Sequence, residues 1–208
     1  MLKIESGDTI LFQGDSITDA LRSRTDDTDL GRGYAHMTAA WYSAMHPEKR
    51  VKFLNQGLSG NRVRDLRERW ESDCMALNPQ IVSILIGAND MWRRYDSNDP
   101  TTPEEFEEAY RDILTMTQSL PGVRIVLMEP FVLPVPEEKL AWKEDLDPKI
   151  NVVRRLAREF NAVYIPLDGL FAASCARCSP EHWSPDGIHP SPAGHALISR
   201  AWLAAVKG

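Results

Sequence analysis

Three short apolar runs, residues 9–14, 51–56 and 81–86, each stop at a turn of glycine and small polar residues. After each of them the apolar residues change period and recur every three or four positions, as on one face of a helix. Runs that are apolar throughout suit strands buried on both faces, and strands that alternate with helices suit a parallel sheet covered on both sides. Residues 124–128 and 162–166 read as two more strands. A first helix is expected over 33–45, before Pro47, and a second over 63–77 with Leu66, Trp70, Cys74 and Leu77 on one face. The third has the clearest start, with Thr102 as N-cap, Pro103 at the first helical position and Glu105 closing a capping box. Its apolar face is Phe106, Ala109, Tyr110, Ile113, Leu114, Thr117 and Leu120, and Pro121 and Gly122 stop it. Asp147 and Pro148 open a fourth, with Ile150, Val153, Ala157 and Phe160 inward. Ser191 and Pro192 open the last, with Leu197, Ile198, Ala201, Trp202 and Ala205 inward. The expected architecture is a three-layer α/β sandwich around a five-stranded parallel sheet, with residues 1–208 as one domain. Right-handed crossovers put all strand C-termini on one edge, where ligands bind in open α/β sheets.

The turns at that edge carry residues with chemistry. The first run ends in Gly14, Asp15 and Ser16, which puts a hydroxyl just past a buried strand. A serine hydroxyl is a weak nucleophile until a positioned base takes its proton, and histidine is the usual base near neutral pH. Near the C-terminus Asp186 precedes His189 by three residues, with Gly187 between them to allow a tight turn. A carboxylate there would orient the ring and stabilise its cation. The second run leads to Gly57 and Gly60, and the third to Gly87, Asn89 and Asp90. The N–H of Gly60 and the amide of Asn89 are suitable donors for an oxyanion. Each segment alone also reads as an ordinary turn or helix start. Three such turns after strands, with an Asp-x-x-His loop, are hard to attribute to coincidence.

The blocks Gly14-Asp15-Ser16-Ile17, Gly57 to Gly60, Gly87 to Asp90 and Asp186 to Pro190 run in order over nearly the whole chain. In this the chain resembles a GDSL-type esterase of the SGNH hydrolase family, which is named for blocks carrying Ser, Gly, Asn and His. Ile17 stands where the name-giving motif has Leu, a volume-conserving change. The resemblance implies a flavodoxin-like fold, Ser16 as nucleophile, His189 as base and Asp186 as its orienter. It also implies an oxyanion hole from the N–H of Ser16, the N–H of Gly60 and the side chain of Asn89, and no cofactor. No Gly-x-Ser-x-Gly run is present, so the α/β-hydrolase elbow is not indicated. The expected activity is hydrolysis of short-chain esters, acetyl first, on a carbohydrate or similar polar alcohol. The alternatives are a lysophospholipase or thioesterase of the same family, and a non-catalytic flavodoxin-like module cradling an anion at the first turn. That module leaves Asn89 and the Asp186/His189 loop unexplained.

Other features bound the reading. A net charge of −6, with lysines and arginines spread along the chain, argues against nucleic acid as partner. No apolar run approaches a membrane span, and residues 1–8 lack an apolar signal core, so a cytoplasmic location and no membrane partner are expected. Cys175 and Cys178 have a metal or redox spacing, but Cys74 lies far away in sequence, and reduced thiols with no metal are expected. Trp92 and Trp183 flank the expected site and could wall an acyl pocket or stack on a sugar, and Arg62 could meet a polar substrate. His36 and His195 fall within helix patterns, and His46 ends a helix, where a cation suits the dipole. Asp15 and Asp90 are expected to hold loops by bonds to backbone. The irregular stretch 130–143 is the candidate lid or oligomer contact, with self-association left open, and exposure of its Trp142 would favour the contact.

Overall fold

The computed structural model describes residues 2–207. In chain order the elements are β1 (Leu2–Lys3), β2 (Thr9–Gly14), α1 (Ser16–Asp19), α2 (Tyr34–Met45), β3 (Lys52–Asn55), α3 (Val63–Glu68), α4 (Trp70–Asp73) and β4 (Ile81–Leu85). There follow α5 (Ala88–Asp96), α6 (Pro103–Gln118), β5 (Arg124–Met128), α7 (Lys143–Glu159), β6 (Val163–Ile165), α8 (Leu167–Cys175), α9 (Pro180–Trp183), α10 (Pro192–Ala205) and β7 (Val206–Lys207). The expected strands form one five-stranded sheet of order β3-β2-β4-β5-β6, parallel throughout. The chain starts in the middle, at β2, and goes first to one side and then to the other. That reversal opens a crevice between the C-terminal ends of β2 and β4, where the loops part in opposite directions.

Two buried clusters fill the space on either side of the sheet. Successive strand residues point to opposite faces, so Ile10 and Phe12 join one cluster while Leu11 joins the other. Ile10 and Phe12 pack with Tyr34 and Tyr42 of α2 and Trp202 of α10. Leu11, Val82 and Ile84 pack with Leu66 of α3, Phe106 and Tyr110 of α6 and Leu156 of α7. Full burial of such a side chain contributes about 1.5–3 kcal/mol. The polar tip of Trp202 is satisfied inside, its Nε1–H donating to Ser83 Oγ on β4 at 3.0 Å.

The helices depart from expectation at their ends and breaks. The segment 63–77 is not one helix but α3, α4 and a 3₁₀ turn, Met75–Leu77. It bends at Arg69, whose guanidinium reaches Asn61 at 2.7 Å and Asp73 at 2.8 Å, yet Leu66, Trp70 and Cys74 still face inward. α7 opens at Lys143 and contains Pro148. As the sixth residue of α7, Pro148 lacks the N–H that would bond Glu144 O, and its ring crowds that carbonyl. α5 occupies a stretch with no helical expectation, residues 171–174, which read as the tail of a helical turn, lie in α8, and β1 pairs with β7 as a separate two-stranded parallel sheet. Cys175 ends α8 rather than beginning a helix, and Cys178 is exposed beyond it. Among the described residues no three His, Cys, Asp or Glu side chains cluster as metal ligands. No helix among them is long and apolar enough to cross a membrane.

Candidate active site

Ser16 is the first residue of α1, delivered by β2 to the crevice. The cap is Asp15, whose Oδ1 accepts from the N–H of Ile17 at 2.9 Å. Beyond the short helix Ala20 and Leu21 take left-handed conformations, φ 41° and 66°, which turn the chain along one wall of the crevice. Non-glycine residues occupy that region at a cost, and such strain collects at functional sites.

His189 reaches Ser16 from the other end of the chain, on the loop that leads into α10. Its Nε2 lies 3.0 Å from Ser16 Oγ, and its Nδ1 lies 2.7 Å from Asp186 Oδ2. With Asp186 ionised, Nδ1 carries the proton and Nε2 is free to accept from the serine hydroxyl. The other carboxylate oxygen, Asp186 Oδ1, accepts from the N–H groups of Ile188 at 2.9 Å and His189 at 2.7 Å. Partial burial alone would raise the Asp186 pKa. The bonds from the His189 ring and those two N–H groups outweigh it and hold the carboxyl far below its ordinary range. The hydrogen bond from Asp186 lifts His189 above the 6.5 of a free imidazole, against partial burial, which lowers it.

The candidate oxyanion donors Ser16, Gly60 and Asn89 follow the C-terminal ends of β2, β3 and β4. As the first residue of α1, Ser16 has an N–H with no intrahelical partner. Neither that N–H nor the N–H of Gly60 has a backbone acceptor among the described residues. Gly60 sits at φ +88°, a conformation that only glycine adopts freely. The Asn89 amide donates to Asn61 O at 3.0 Å, which ties the first turn of α5 to the Gly60 turn. The other amide proton has no acceptor among the described residues.

Side chains that no motif announced support this frame. Asp19 Oδ2 accepts from the N–H of Ser59 at 3.1 Å, fixing the turn that presents Gly60. Asn55 donates to Thr18 O at 2.7 Å, and Arg22 donates to Gly57 O at 2.8 Å. His195, expected to pack or face solvent, accepts from the N–H of Tyr34 at 3.2 Å and so caps α2. Burial pushes its pKa down to about 4, which keeps the ring neutral and able to accept. Asp90 accepts from the N–H of Val63, as expected of a loop-holding carboxylate. Burial pushes both Asp15 and Asp90 up to about 7.

The flanking residues divide. Trp92 meets His189 edge-on, with ring centroids 5.9 Å apart. Trp183 is half-buried and packs against the core. The guanidinium of Arg62 is engaged by the carboxylate and carbonyl of Asp99, so any substrate must share it with that pair. The cleft beside Ser16 and His189 has a volume of about 570 Å³ and walls that include Asp19, Leu21, Arg24, Arg32, Ser59 and His195. Trp142, which pointed to a contact role for its segment, is partly buried within the chain. It stacks on Tyr95 with centroids 4.6 Å apart and an interplanar angle of 3°.

Residues 12–197 match the model of the GDSL-like lipase/acylhydrolase family. An acetylxylan esterase of Geobacillus stearothermophilus is 36% identical over 210 residues, covering 97% of this chain and 95% of that protein. The crystal structure of an acetylxylan esterase from that organism superposes with a TM-score of 0.91 at 36% identity, over 98% of this chain and 96% of the other. That of a Parabacteroides merdae protein described as GDSL-like gives 0.93 at 37% identity, over 97% and 96%.

Proposed function

Since the chain belongs to the GDSL-like lipase/acylhydrolase family and is a carboxylic ester hydrolase, we propose that it removes acetyl groups from carbohydrate esters through an acyl-enzyme on Ser16. The observation that carries the mechanism is the hydrogen-bonded series Ser16 Oγ, His189 Nε2, His189 Nδ1, Asp186 Oδ2, at 3.0 and 2.7 Å. His189 takes the Ser16 proton as Oγ attacks the ester carbonyl. The oxyanion is held by the N–H groups of Ser16 and Gly60 and by the Asn89 amide. The tetrahedral intermediate collapses as His189 returns the proton to the leaving alcohol, and water then repeats the sequence on the acyl-serine. No step calls on a metal.

The acetyl assignment draws support from the acetylxylan esterase relative and from the cleft walls. Asp19, Arg24, Arg32 and Ser59 suit a hydroxyl-rich alcohol better than a fatty chain. Each buried methylene contributes about 0.8 kcal/mol, so a lipid pocket would make kcat/KM climb steeply with chain length. Hydrolysis of p-nitrophenyl esters from acetyl to decanoyl, below their micelle concentrations, is expected to be fastest at acetyl. Acetate release from acetylated xylo-oligosaccharides is expected to vanish in Ser16→Ala, with a loss on the order of 10⁶ in kcat. Rates rising through octanoyl would overturn the acetyl assignment in favour of a lysophospholipase or thioesterase. A fully active, folded Ser16→Ala would overturn the acyl-enzyme.

A further inference from the structure

The segment between β5 and α7 lies across the loop that carries Asp186 and His189. Leu133 donates its N–H to Gly187 O at 2.8 Å. A 3₁₀ turn, Glu137–Trp142, then brings Lys139 beside the loop. The Lys139 ammonium donates to Asp186 O at 2.5 Å. It also lies 5.4 Å from the ring centroid of Trp92 and 5.0 Å from that of Trp142. Tyr95 stacks behind Trp142, and Trp92 in turn touches the His189 ring. Lys143 and Lys149 each have a carboxylate partner, Asp168 and Asp145. No carboxylate lies within ion-pair distance of the Lys139 ammonium among the described residues. One carbonyl and two indole faces thus hold the Lys139 ammonium at the loop that carries Asp186 and His189.

We propose that Lys139 is a positioning residue of the active site, clamping the triad loop through Asp186 O and the Trp92–Trp142 pair and setting, by its charge, the pH at which His189 becomes a working base. The proposal rests on the reading of Ser16, His189 and Asp186 as the triad. A cation near the imidazole disfavours its protonated form. The groups that face His189 are Asp186 and Asp15, which favour the protonated ring, and Lys139, which opposes them. His195, on α10, is kept neutral by burial. Without Lys139 only the partial burial of the ring would oppose the carboxylates. The ring would then hold its proton to higher pH, and the base would be missing under conditions where the wild type works.

The test is a charge series at Lys139, read as kcat/KM against pH with p-nitrophenyl acetate at low ionic strength. In Lys139→Met the acid limb is expected to move up by about half a pH unit, with kcat at pH 7 falling by no more than about threefold and KM nearly unchanged. Lys139→Glu is expected to move the limb further in the same direction, and Lys139→Arg to keep it near the wild-type position. An acid limb that stays fixed across the series overturns the proposal. So do Met and Arg variants that lose activity together with no shift, because that pattern belongs to packing alone. His189→Gln separates the two readings. If it retains the acid limb, the limb is not His189 and the triad reading falls first. If it loses the limb while the Lys139 series leaves the limb fixed, the triad stands and the proposal falls alone.

Discussion

Asn89 has two amide protons, and the proposed mechanism gives them two tasks. One proton goes to Asn61 O at 3.0 Å, and in that mechanism the other meets the developing oxyanion. The first bond sets the aim of the second, so the donor needs no rearrangement when the charge appears. Asn89→Ala is therefore expected to lower kcat by about 10²–10³, roughly 3–4 kcal/mol, with little change in KM. A KM defect at normal kcat would move Asn89 from the oxyanion to ground-state binding. At this scale the residue types were legible wherever chemistry demands a type: a hydroxyl, an imidazole, a carboxylate three residues before it, an amide after a strand. Asp19, Asn55, His195 and Lys139 were not legible. Their roles depend on which atoms the fold brings within 3 Å or so, and nothing in their neighbours along the chain announces that. His195 shows the difference, since its place in a helix pattern says nothing about the Tyr34 N–H that it caps.

The elements followed their apolar period where packing on the sheet decides the matter. β5 was read at its observed bounds, and α6 was read from its cap because Thr102 and Glu105 bond reciprocally at its start. Elements set by side-chain contacts elsewhere were lost. α5 follows Gly87 at the site and has only four buried residues, Ala88 to Met91, too few to write a helical period. The bend between α3 and α4 belongs to Arg69, whose partners come from other turns. The stretch 130–143 shows no period because only Phe131, Val132 and Leu133 join the buried core cluster, while Leu133 and Lys139 bond to the triad loop. Gly187 is the point of closest approach. It sits at φ +78°, and a Cβ there would lie 2.4 Å from Leu133 O and 2.7 Å from Val135 O. Gly187→Ala is expected to lower Tm by roughly 5–10 °C and kcat by at least about tenfold, since strain and clash both push the loop outward. Thermal melts and steady-state rates on the purified variant check both. An unchanged Tm would mean that the segment yields without cost.

For the molecule as a whole, the sheet order places the reacting groups at the switch point and buries two carboxyls behind them. Asp90 has a pKa pushed up to about 7 by burial, against 3.8 for the free side chain. The folded state thus holds a proton that the unfolded chain has released, and stability from this group falls as pH rises from about 4 through 7. Asp90→Asn keeps the shape and removes the titration. Its Tm, relative to the wild type, is expected to be a few degrees more favourable at pH 8 than at pH 5. A difference that is flat with pH would show that Asp90 does not titrate in that window. The topology has a temporal consequence as well. Ser16 and His189 are 173 residues apart, and the nucleophile follows the first strand of the main sheet while the base precedes the last helix. During synthesis the nascent chain carries its serine and both loop donors long before any imidazole can reach them. On the proposed mechanism, hydrolysis can therefore begin only after translation has passed His189, and a chain interrupted before it is expected to lack esterase activity.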